Sequence, residues 1–288
     1  MDFFKYKLKD EELRLIYKEV ALFNQDYSLN APGCLKDEIF ELLEKVGTLI
    51  FYPIKEESLW GIYVCKNEKH YFVLNSLIEL EKQVFAAAHE LAHSLDIAKV
   101  RFEFITPDLM TEYTNHGNFG DALARTDLIA NRFAAEILVS SKKLIEKFEE
   151  IPNYYPLEVK AVLLSDVFLV PYKTIVKRFI ETNIVKEQSE ISRLLTIGEQ
   201  EVKLIAERYE CCKRNSLITN ETRLGGYANK ALTLFENELS TFQDLTEKLK
   251  LIGKTPDDFG IVDTEFDIYD FLSRASIQTA AEDDEGYE

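Results

Sequence analysis

Apolar residues recur at helical spacing over residues 12–24 and again over 35–46, which predicts two amphipathic helices. Asn30, Ala31, Pro32 and Gly33 lie between them and predict the intervening turn. The pattern then changes. Residues 48–53, 59–65 and 70–74 alternate or run apolar and are rich in aromatic and β-branched residues, so they predict strands. Lys66, Asn67, Glu68 and Lys69 form the predicted hairpin turn, and Asn75 or Ser76 is the expected N-cap of the long helix that follows. Residues 100–124 contain Pro107, Gly117 and Gly120 and predict a long loop. Helical spacing returns from Arg125 to Leu138 and after Pro171.

The second half is helical in pattern and carries no recognisable chemical motif. Glu199–Arg214 has helical periodicity, Gly225 and Gly226 break the chain, and Tyr227–Leu239 resumes it. Ser240 is the expected N-cap of a helix over Thr241–Leu251, with Gln243 completing a capping box, and Thr255-Pro256 marks another helix start. These short helices resemble a helix-turn-helix array. The expected architecture is α+β: a small mixed sheet packed on helices over residues 1–185, a mainly helical domain over 186–280, and an acidic, disordered tail over 281–288.

The chemistry is concentrated in Val84–Asp96, where His89-Glu90-Leu91-Ala92-His93 interrupts an apolar helical run. Residues four apart on a helix are about 40° apart around its axis, so His89 and His93 share a face and can reach one zinc ion. Glu90, beside the first ligand, is placed to polarise a water on that ion. The surroundings are Phe85, Ala86, Ala87, Ala88, Leu91 and Ala92, among which a His-Glu-His set is costly to bury unless paired or metal-bound. Catalytic zinc usually takes a third protein ligand, and no third His follows soon after His93. Asp127, Asn131, Ala134 and Leu138 share one face of the next helix, whereas Glu136 lies roughly opposite; Asp127 is the favoured third ligand, with His116 and Asp121 as fallbacks. Tyr113 or His116 could serve a developing oxyanion, though each reads more simply as a loop residue.

Taken together, these segments resemble the ImmA/IrrE family of zinc metallopeptidases over roughly residues 10–185. The match lies in the helix–strand–hairpin order, in Phe85–His93 against the family's F-x-x-A-H-E-x-x-H, and in Asp127–Ser140 against its E-x-x-A-N-x-F-A-A-E-L-L-M-P helix. The chain departs from the pattern at Asp127, where the family usually has Glu, and at Val139-Ser140, where it usually has Met-Pro. The resemblance implies a zinc endopeptidase with His89, His93 and Asp127 on the metal and Glu90 as general base. It further implies a helix-turn-helix transcriptional repressor as substrate, cleaved to relieve repression in a phage, mobile-element or stress response. Two alternatives stay open: a latent, peptidase-like protein-binding module, and a toxin–antitoxin or phage-defence component.

Charge narrows the partners. The chain carries 51 acidic against 34 basic residues, net -17. Residues 186–288 hold 22 acidic and 12 basic residues, so both halves are acidic and direct nucleic-acid contact is not expected. There is no leader-like segment and no apolar stretch of membrane-spanning length, so a cytoplasmic protein without membrane contact is expected. Cys34, Cys65, Cys211 and Cys212 are then expected to be reduced; adjacent cysteines such as Cys211 and Cys212 rarely bond each other.

Overall fold

The computed structural model describes residues 8–27, 33–95 and 117–261. The class is α+β, with eleven α-helices and one four-stranded mixed sheet among the described residues. The chain divides into two compact units, Met1–Gly225 and Gly226–Glu288. The expected turn residues Asn30–Pro32, the loop residues Tyr113 and His116, and the tail 281–288 lie outside the described residues.

In the first unit, α1 (Asp10–Asp26) and α2 (Glu38–Val46) precede β1 (Thr48–Tyr52), β2 (Gly61–Lys66) and β3 (Lys69–Asn75). The sheet order is β2-β3-β1-β4, with β3 parallel to β1 and antiparallel to β2. Leu49 pairs with Phe72 and Phe51 with Leu74, and all four are buried, so one sheet face forms core. The β2–β3 connection is tighter than the sequence suggested. Lys66 pairs with Lys69, and only Asn67 and Glu68, both at positive φ (51° and 61°), make the turn.

Against this sheet lies α3 (Leu80–Ser94), which in turn packs on α4 (Gly117–Leu138). Residues 117–124 are thus the opening turns of a helix rather than part of a loop, and Asp121 sits in them. Ahead of α3, the expected N-cap is also displaced. Glu79 stands at that position without a capping side chain. Asn75 instead ties the preceding loop together, accepting from the N–H of Ile54 (3.1 Å) and Leu77 (2.9 Å) and donating to the Leu59 carbonyl (2.9 Å). The first free N–H groups of α3 are met from far along the chain: Leu80 donates to the Leu217 carbonyl (2.8 Å) and Glu81 to that of Asn215 (3.2 Å).

Six further elements complete the unit: α5 (Ser141–Glu150), α6 (Leu157–Phe168), α7 (Tyr172–Glu181), α8 (Gln188–Thr196), α9 (Glu199–Arg208) and β4 (Arg223–Leu224). The expected boundary at residue 185 therefore falls inside the first unit. Ile191, Leu194 and Ile197 belong to its core, and β4 pairs with β1. The helix starting at Glu199 stops early because Glu210 turns left-handed (φ 52°) and the Cys211 N–H closes on the Ala206 carbonyl (3.0 Å).

The second unit holds α10 (Tyr227–Glu236), α11 (Phe242–Lys250) and a single 3₁₀ turn (Pro256–Phe259) around Ala231, Leu245 and Leu249. Thr241, not Ser240, caps α11, and its box partner is Asp244 rather than Gln243. Among the described residues no helix is long and apolar enough to cross a membrane.

One buried charge network, shared by Arg132, Glu136, Arg178 and Glu181, ties α4 to α7. Arg178 is fully buried; it pairs with Glu136 (2.8 Å) and Glu181 (2.6 Å) and donates to the Val139 carbonyl (2.9 Å) and Ser141 Oγ (2.9 Å). Arg132 also pairs with Glu136 (2.8 Å). Removing one member leaves an uncompensated buried charge, so Arg178→Met is expected to lower unfolding free energy by about 3–5 kcal/mol in urea titrations. A loss within experimental error would contradict this account.

Near the start of α3, burial pushes the Glu81 carboxyl up to about 7, against a hydrogen bond from Asn215 Nδ2 (3.1 Å) that opposes the shift. The folded chain therefore holds this proton more tightly than the unfolded chain, whose carboxyl titrates near the ordinary 4.5. The resulting stabilisation is complete below the ordinary value and is lost as pH rises through about 7. The fall in urea midpoint across that interval should be shallower in Glu81→Gln, and an identical slope would refute the assignment.

Candidate metal centre

α3 forms readily because Ala86, Ala87, Ala88 and Ala92 carry high helix propensity and no branched side chains. The same small residues let α4 approach with its own Ala130 and Ala134, all buried. That approach brings the polar residues of the two helices to one point. His89 Nε2 and His93 Nε2 are 3.0 Å apart. Asp127 Oδ1 is 3.5 Å from His93 Nε2 and 4.0 Å from His89 Nε2. One ligand atom from each of the three lies within 4.8 Å of the others, and this group could hold a metal ion. Among the described residues no other cluster of His, Cys, Asp and Glu does so.

The sequence-favoured trio His89, His93 and Asp127 is thus brought together, with Asp127 at the open edge, 58% exposed. Glu136 is directed elsewhere, into the Arg132 and Arg178 pairs.

Asn131, one turn beyond Asp127, receives His89 Nδ1 on its Oδ1 at 3.1 Å. An amide oxygen only accepts, so Nδ1 carries the proton and Nε2 turns its lone pair toward His93 and Asp127. Burial pushes the His89 imidazole down to about 4, and the neighbouring His93 adds to the shift. His89 is therefore neutral, the form that binds metal, throughout the physiological range. The hydrogen bond with His93 holds Asp127 below the ordinary carboxylate range.

Glu90 occupies the sheet side of α3. Only 8% exposed, it is pushed up to about 7 by burial, and Asp127 adds to the rise. His93 opposes that shift, as does a hydrogen bond from the Tyr63 backbone N–H. Its space is made by Gly61: a β-carbon there would stand 3.0 Å from Glu90 Cγ and 3.1 Å from Oε1. A carboxyl poised near neutrality beside a group that could hold a metal ion can take up and return a proton at working pH.

Sequence reasoning put Asn131 on the ligand face but gave it no role, and it overlooked Gly61 and the Tyr63 backbone. The i, i+4 relation of Asn131 to Asp127 was the available signal. Gly61 and Tyr63 carried none, because strand β2 reaches Glu90 only through the fold.

A partner that orients a metal-binding histidine is generally worth about 10–100-fold in metal affinity. Asn131→Ala should weaken divalent-ion binding by about that factor in a chelator competition titration, with Asn131→Asp restoring much of it. Equal affinities in all three proteins would remove Asn131 from the site.

No protein-family model, curated protein or solved structure matches this chain.

Proposed function

We propose that this chain is a zinc-dependent endopeptidase of the ImmA/IrrE kind, with His89, His93 and Asp127 as metal ligands and Glu90 as general base. The observation that carries the reading is the convergence of two imidazole Nε2 atoms and one carboxylate oxygen beside a buried carboxyl near neutrality. Two nitrogens at about 2.0–2.1 Å from one tetrahedral ion stand about 3.3 Å apart, close to the 3.0 Å between the imidazoles. Two nitrogens and one oxygen form a donor set that suits zinc and leaves a position open. Asp127 replaces the family's usual Glu and is one methylene shorter; its Oδ1 stands 3.5 Å from His93 Nε2.

When bound, zinc would supply Lewis acidity, drawing the pKa of a coordinated water toward 7 and polarising the scissile carbonyl. The protein groups divide the remaining work. Asn131 orients His89, and Asp127 offsets part of the metal's charge. Glu90 takes a proton during attack on the amide carbon and delivers it to the departing amine. The Tyr63 N–H and the gap at Gly61 hold Glu90 in position for both transfers. By resemblance to the family, the substrate class is a helix-turn-helix repressor.

Elemental analysis of wild type and Asp127→Ala tests the ligand set. One zinc per chain is expected in wild type and little in the variant; full zinc in the variant moves the third ligand elsewhere, and none in zinc-supplemented wild type ends the proposal. Glu90→Gln should keep its zinc while cleavage falls by about 10²–10⁴-fold. A Glu90→Gln protein that still cleaves would exclude this mechanism.

A further inference from the structure

The first unit contains a cavity of about 1450 Å³ between α3, α4, α7 and α9. It follows both helices that carry the metal group. On α3, Glu81 and Phe85 line it at four-residue spacing, on the stripe that continues to His89. On α4, Asn131 and Ala135 line it on the stripe that starts at Asp127. Asn131 belongs to both places, since its Oδ1 holds His89. The metal group therefore adjoins the cavity. Glu81 lies eight residues before His89, about 12 Å away along the axis of α3.

Glu81 is an acid built into this wall. Asn215, only 2% exposed, grips it twice: its carbonyl accepts from the Glu81 N–H (3.2 Å) and its Nδ2 donates to the Glu81 carboxyl (3.1 Å). The second proton of that amide goes to the Ser165 carbonyl (2.9 Å), so the amide is fixed with Oδ1 as its remaining group. That buried oxygen has no hydrogen-bond partner among the described residues, and both Glu81 and Asn215 line the cavity. The nearest ammonium, on Lys82, is held by Glu79 (2.9 Å) and Glu199 (3.3 Å). Three carboxylates thus share one close cation, and Glu81 makes no ion pair among the described residues. Two neighbouring acceptors, one anionic and one neutral, lack a donor.

We propose that this cavity is the substrate cleft of the metal centre, and that Glu81 and Asn215 form a subsite in it for a lysine or arginine side chain of the peptide.

The proposal rests on the endopeptidase reading above. Lysine and arginine bring several N–H donors and no acceptor, which is the complement of this pair. Their aliphatic stems suit the apolar wall at Phe85 and Trp60. A neutral side chain would leave both acceptors unmet, and an acidic one would face Glu79, Glu81 and Glu199. An extended peptide covers 12 Å in about three to four residues, so the basic residue falls within about four positions of the cut bond. Binding ionises Glu81, whose proton passes to solvent. Burial and the charges of Glu79 and Glu199 hold that proton on the empty site up to about pH 7, while Lys82 and the Asn215 amide favour its loss. Affinity for a basic peptide should therefore rise as pH rises through about 7.

The test uses the full chain as zinc-loaded Glu90→Gln, which keeps bound peptides intact and removes the titration of Glu90 itself. A synthetic library of 12-residue peptides, randomised at every position, is passed over the protein, and the bound pool is sequenced. Lysine and arginine should be enriched. A selected peptide should lose about 10–10²-fold in affinity when its basic residue becomes norleucine, the usual worth of a hydrogen bond to a charged group. Adding Glu81→Gln should abolish both that preference and its pH dependence, with circular dichroism confirming the fold. No enrichment, enrichment of acidic residues through Lys173 and Lys177 on the α7 wall, or an undiminished preference in folded Glu81→Gln would overturn the proposal. Wild-type protein should cut the selected peptides at one fixed distance from the basic residue. Charge-selective binding with no cleavage by zinc-loaded wild type would remove the endopeptidase reading and leave the subsite standing.

Discussion

Side chains as short as histidine and aspartate meet at one point only when the helices that carry them come close together. Here alanine permits that approach. Ala86, Ala87, Ala88 and Ala92 on α3 and Ala130 and Ala134 on α4 are all buried, and the polar residues stand between and beside them. Burial removes water from His89 between the helices and from Glu90 on the sheet side of α3, which favours the neutral form of each. The neutral imidazole and the raised carboxyl thus share one origin, the desolvation that comes with burial in the first unit.

Support for that geometry comes from distant parts of the chain. The carbonyls of Asn215 and Leu217 cap α3 in place of a local side chain. Arg178 on α7 fastens the end of α4 through Glu136 and the Val139 carbonyl. β4 extends the sheet on the far side of β1. These contacts explain why the first unit runs to Gly225: residues after 185 complete helix ends and sheet pairings that the earlier residues leave open.

The α3–α4 group offers imidazole nitrogen and carboxylate oxygen, which favour a borderline divalent ion.

Local pattern determined much of this protein. The 3.6-residue period disclosed α1 to α4 and α7, the alternation of apolar residues disclosed three strands, and the spacing of His89, Glu90 and His93 marked the site with Asp127 on the facing helix. Those signals lie within one or two turns of chain, where covalent geometry alone fixes which side chains share a face. Tertiary structure decided the rest. Asn75 gave up the capping role its residue type suggested because Ile54 and Leu77 claimed its oxygen. Strand β4, only two residues long, has no period to read and exists through its pairing with β1. The gap at Gly61 that admits Glu90 and the hydrogen bond from His89 to Asn131 join groups whose proximity depends on packing. A hydrogen bond between distant residues depends on the whole chain's minimum, and no short window of sequence contains that information.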